Sequence, residues 1–88
     1  MGVPTVYVSN RGPGGGTVTP ITIATSTPGK PIKVGRFGPV EIAITPDGKT
    51  AYVLAMFAGT VTPIATATNS AGKPIKVGRI PSAIAITP

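Results

Sequence analysis

Eighty-eight residues with no cysteine, no histidine and only Asp47 and Glu41 as carboxylates exclude a disulfide scaffold and leave almost nothing for a protein-built zinc, haem or di-metal site. A chain this short buries a small share of its surface, so partners become the remaining route to a stable core. The net charge of +6 is spread along the chain rather than clustered, and four aromatics are few for stacking bases, which argues against nucleic acid.

Nineteen valines and isoleucines and thirteen threonines stand against one leucine and one glutamate, a composition that predicts an all-β fold. Twelve glycines and eleven prolines punctuate it at short intervals. In chain order, "VYVSN" at 6–10 reads as a strand and is followed by the loop "RGPGGG" at 11–16. That loop lacks the Gly-Lys-Ser/Thr ending of a phosphate loop and no helix follows it, so it reads as a long hairpin connection. Residues 17–36 return at 60–79 with 15 identities in 20 positions, including an unchanged "GKPIKVGR". A strand from Val40 to Thr45 follows the loop "FGPVE" at 37–41 and ends in Pro46-Asp47-Gly48-Lys49, where Asp-Gly marks a tight hairpin. The next strands are predicted at Thr50–Leu54, Thr60–Ala67 and Lys73–Val77, with "MFAG" at 56–59 and the polar turn Thr68–Gly72 between them. "IAITP" at 42–46 recurs at 84–88, which predicts a last strand from Ala83 to Thr87 after the loop "IPSA" at 80–83. Pro20 and Pro63 fall inside a predicted strand, and their missing N–H groups require a bulge or a gap in the neighbouring strand.

Four short strands in a period of 43 residues is the spacing of a propeller blade. "ITPDGKTAYVLA" followed by "GTVTPIATATNSAGKPIKVG" resembles the YVTN-type β-propeller repeat, in two copies covering nearly the whole chain. The family's signature tetrad reads Tyr7-Val8-Ser9-Asn10 in one copy and Tyr52-Val53-Leu54-Ala55 in the other. The resemblance implies blades found in cell-surface and secreted proteins, with the strand ending in ITP innermost and the strand containing PIKV outermost. The chain then begins and ends in mid-blade. Residues 1–39 hold three outer strands of a split blade, 40–79 a complete four-stranded antiparallel blade, and 80–88 an innermost strand for a neighbouring chain.

Closed propellers have typically about four to eight blades, so two blades cannot close a ring. Donating the last strand to the next copy would heal the open edges, with Pro88 leading into a neighbour's Met1–Thr5 segment. The expected partner is therefore the chain itself, as a six-bladed homo-trimer in preference to an eight-bladed homo-tetramer. No apolar run reaches 18 residues and "MGVPTVYV" lacks the features of a signal peptide, so a soluble chain without a membrane partner is expected.

Catalysis, metal binding and cofactors are not expected, because acid-base and nucleophilic chemistry lack their usual residues. Asp47 reads as a turn residue, and Glu41 as a partner for Arg36 or a residue of the channel mouth. The loop face around that mouth collects Arg11, Arg36, Phe37, Glu41, Met56, Phe57 and Arg79 from every copy. Two readings stay open: a structural scaffold with solvated arginines and with Phe37 and Phe57 filling gaps between blades, or a multivalent module for an anionic or carbohydrate ligand.

Overall fold

The computed structural model describes residues 4–11, 16–35, 39–79 and 81–87. The chain is all-β, in two antiparallel sheets with a common plan. Sheet 1 contains β1 (Thr5–Asn10), β2 (Gly16–Thr22), β3 (Thr27–Pro28) and β4 (Ile32–Gly35). Sheet 2 contains β5 (Pro39–Ile44), β6 (Thr50–Ala55), β7 (Thr60–Ala65), β8 (Ser70–Ala71) and β9 (Ile75–Lys76). β3 and β4 both pair with β2, and β8 and β9 both pair with β7, so each outer strand is one line broken in the middle.

The broken line explains the two prolines. Pro20 pairs with Tyr7 and Pro63 with Tyr52, and each proline carbonyl accepts an outward N–H, from Gly29 and Gly72, at 2.7 Å in both copies. In an antiparallel strand the N–H and C=O of one residue point to the same side, so the missing proline donor faces the gap at 29–31 or 72–74 rather than a ladder partner. The expected outer strand Lys73–Val77 is thus shortened to Ile75–Lys76, and a second piece, Ser70–Ala71, forms within the expected polar turn Thr68–Gly72. The expected strand Thr60–Ala67 ends at Ala65, because a turn over Thr66–Asn69 follows at once, with Asn69 at φ 55°. Ser26 holds the same position in sheet 1, at φ 54°.

The hairpin between β5 and β6 closes through Thr45 and Thr50, with Gly48 at φ 73° after the turn. Asp47 Oδ1 accepts hydrogen bonds from Thr45 Oγ1 at 2.6 Å and from the Lys49 amide at 2.9 Å, the turn role expected of it. Both bonds favour the charged carboxylate and hold its pKa below the ordinary value. Gly59 needs its freedom most: its φ is 66°, and a Cβ there would lie 2.3 Å from the Gly78 carbonyl oxygen.

The two sheets stack face to face. Val18, Ile32 and Val34 of sheet 1 pack against Ala51, Val53 and Ile64 of sheet 2, with Tyr7 and Ile42 at the margin. Two polar links tie the interface: Thr62 Oγ1 donates to the buried Val34 carbonyl at 3.2 Å, and the Tyr7 hydroxyl donates to Asn69 Oδ1 at 2.7 Å. Partial burial pushes the Tyr7 phenol pKa up. Sheet 2 has four strand positions across its width and sheet 1 has three, since β1 pairs only with β2 among the described residues.

Candidate functional site

Strand alternation gives every sheet two sides, and the repeat makes those sides comparable. Side A carries Tyr7, Val18, Ile32 and Val34 in sheet 1 and the corresponding Tyr52, Val61, Ile75 and Val77 in sheet 2. Side B carries Val6, Val8 and Thr19 in sheet 1 and the corresponding Ala51, Val53 and Thr62 in sheet 2. Within the chain, side A of sheet 1 is seated on side B of sheet 2. One copy of each side is therefore used and the other is left over.

The leftover copies are apolar and partly open to solvent. Ile32 and Val34 are 8% and 4% exposed, whereas their counterparts Ile75 and Val77 are 49% and 52% exposed. Val53 is fully buried and its counterpart Val8 is 40% exposed. Identical side chains at equivalent repeat positions thus differ in what lies against them; Val77 also falls just past β9, and Val8 sits on an edge strand where Val53 is central. Leu54 and Val61, on the leftover side A, are buried. Residues 81–87 fold back over them, and a cavity of about 520 Å³ remains between this tail and Ile75, Val77, Gly78 and Arg79. The Ile84 amide donates a long bond of 3.4 Å to Glu41 Oε2.

The expected strand Ala83–Thr87 has no strand pairing among the described residues. Its sequence copies that of β5, but β5 pairs with β6 whereas the equivalent open edge for the tail is β1, at the far side of sheet 1. Glu41 lies in β5, within the expected strand Val40–Thr45 rather than in the expected loop 37–41 that overlaps it; it is half-buried, and the register shifts between Pro39 and Glu41. Its expected partner Arg36 lies outside the described residues, as do Phe37, Gly12–Gly15 of the glycine-rich loop, and the Met1–Val3 and Pro88 ends of the expected inter-chain turn.

The other loop residues share one end of the molecule. Arg11 follows Asn10, which pairs with Thr17 near the Gly16–Gly35 pair. Met56, Phe57 and Arg79 follow Ala55 and Lys76, which both pair with Thr60. The Thr62–Val34 bond aligns these two ends. Arg11, Phe57 and Arg79 are exposed, and Met56 is half-buried. Phe57 therefore fills no gap within the chain. Among the described residues no three metal-ligating side chains come together.

An unclosed pair of repeats is expected to leave bare apolar faces, but the sequence does not say which side of each sheet carries them. Repeat identity plus strand alternation specifies both sides of each sheet; only the stacking reveals which copy of each is covered. No protein-family model matches the chain, and no curated protein matches it.

Proposed function

We propose that the chain is a non-enzymatic structural and interaction scaffold, a pair of YVTN-type propeller blades that joins copies of itself head to tail into a closed ring. The observation that carries this reading is the leftover pair of faces: side A of sheet 2 repeats the side A already seated on a side B within the chain. A second copy offers the matching side B, with Val6 and Val8, so the contact inside one chain is the template for the contact between chains. Such a contact is heterologous, and a heterologous contact closes into a ring when its rotation permits. Three copies make six blades and four make eight; the trimer is favoured because the wider ring opens the channel further. Fully burying an Ile or Val is worth about 1.5–3 kcal/mol, so half-exposed Ile75 and Val77 each leave about 1 kcal/mol to be gained.

Lysine substitutions test the head-to-tail geometry. Val8→Lys and Ile75→Lys should each abolish assembly while leaving the β circular-dichroism spectrum of the chain intact. Mixed together, the two variants retain one sound pair of faces and should give a dimer that grows no further. Full assembly of either variant alone contradicts the proposal.

A second reading is favoured by the common placement of Arg11, Phe57 and Arg79 at one loop end, where a ring would multiply them around its mouth. It makes the scaffold a multivalent binder of an anionic or carbohydrate ligand. Calorimetric titration with a sulfated polysaccharide and a neutral glycan distinguishes it, since binding lost in Arg11→Ala and Arg79→Ala supports the ligand role.

A further inference from the structure

We infer that residues 81–87 are an internal stand-in for the second copy: in the single chain they occupy the docking face of sheet 2, and sheet 1 of another copy displaces them. The inference rests on the ring reading above. Three observations carry it.

The tail lies on the right surface. Pro81, Ala83, Ile84 and Ala85 line the space over Leu54, Val61, Ile75 and Val77, which is the leftover side A. Its half-buried residues are Pro81, Ile84 and Ile86, so it turns its larger apolar groups toward the sheet. A chain without this cover would present Leu54 and Val61 to water as well as Ile75 and Val77, a contiguous apolar patch prone to indiscriminate association.

The tail is also a poor fit. It leaves Ile75 and Val77 half-exposed beside an open groove of about 520 Å³, and among the described residues its hydrogen bond to the sheet is the long one from the Ile84 amide to the Glu41 carboxylate. The equivalent surface of sheet 1, covered by a sheet instead of a tail, has Ile32 and Val34 buried. Loose packing forfeits dispersion contacts that a complementary sheet recovers. A second copy therefore outcompetes the tail once its concentration is sufficient, and the tail delays association until then.

The released tail has a destination with a defined register. In sheet 2, Ile42 pairs with Val53, Ala43 with Tyr52 and Ile44 with Ala51. Carrying these pairs over by repeat position sets Ile84 opposite Val8, Ala85 opposite Tyr7 and Ile86 opposite Val6 of the receiving copy. That pairing supplies a fourth strand position, which sheet 1 lacks among the described residues. Docking of the sheet and release of the tail are thereby one coupled step, with the covered surface exchanged for a better cover and the open β1 edge filled. Thr19, the counterpart of Thr62, would donate its hydroxyl to the Val77 carbonyl of the adjacent copy as Thr62 does to Val34.

The chain has no cysteine, so paired cysteines placed in the full chain read the tail's position directly. Val61→Cys with Ile84→Cys, bridged by a short bis-maleimide at low concentration, should link within one chain. The linked chain should then stay at 8.7 kDa at concentrations where the unlinked variant assembles. Val8→Cys with Ile84→Cys, oxidised after assembly, should link one chain to the next. Failure of the first pair to link within the chain, or assembly of the linked chain to full size, overturns the inference while leaving the ring reading in place. Failure of the second pair in an assembled sample overturns the register. If neither the unsubstituted chain nor the unlinked variants assemble, the ring reading itself is overturned.

Discussion

Sheet 1 and sheet 2 share almost the same strands, turns and internal hydrogen bonds, yet they hide opposite sides. Side A is buried in sheet 1 and half-open in sheet 2; side B is buried in sheet 2 and half-open in sheet 1. Local sequence therefore determines which residues are able to face a core, while position in the stack determines which of them do. The unequal exposure of equal residues is what a repeated unit looks like when it has been stacked only once. Repeat proteins show the same dependence on neighbours, since each unit's faces are stabilised by the units on either side.

The comparison breaks most visibly at the paired isoleucines. In dilute, unassembled chain, Ile32→Ala should cost about 2 kcal/mol or more in denaturant unfolding, because it empties a buried site. Ile75→Ala should cost less there, about 1 kcal/mol, because only about half of its surface is buried. In the assembled state the gap should close, since Ile75 then takes up the environment of Ile32. A gap that persists after assembly separates the two faces and contradicts their equivalence.

A smaller effect is expected at the tyrosines. Tyr7→Phe removes the bond to Asn69 and should lower stability by about 0.5–1.5 kcal/mol. Tyr52→Phe should be nearly silent in dilute chain and should weaken assembly, because the counterpart of Asn69 that it would reach is Ser26 of another copy. Thermal unfolding below and above the assembly concentration measures both.

The smallest effect concerns pH and belongs to sheet 2 alone. Asp47 has a folded pKa below its ordinary value, so its contribution is present above the unfolded pKa and is lost as the pH falls through the lower folded one. The unsubstituted chain should lose a little stability on acidification, and Asp47→Asn should flatten that part of the profile. The carboxylate is fully exposed, which keeps the change slight.

Much of this architecture is legible in the sequence because the repeat exposes it. The Asp47 turn, the paired positions of Pro20 and Pro63 and the strands around Tyr7 and Tyr52 follow from alternation and turn chemistry. The outer strands are less legible, because a run such as Lys73–Val77 looks continuous until Gly72 turns its N–H to the Pro63 carbonyl and Pro74 withholds its own. The start of β5 is less legible, because the register shift between Pro39 and Glu41 leaves no local signature. The tail is the hardest case. "IAITP" carries the same strand pattern at 42–46 and 84–88, but a strand exists only where an edge is available to pair with it.

The account stands most directly on the absolute mass of the unsubstituted chain in solution, measured by light scattering behind a sizing column across a range of concentrations. A discrete species of three times 8.7 kDa is expected, appearing cooperatively as concentration rises. A folded monomer of 8.7 kDa at every concentration, or an open-ended ladder of sizes with no closed species, would contradict it.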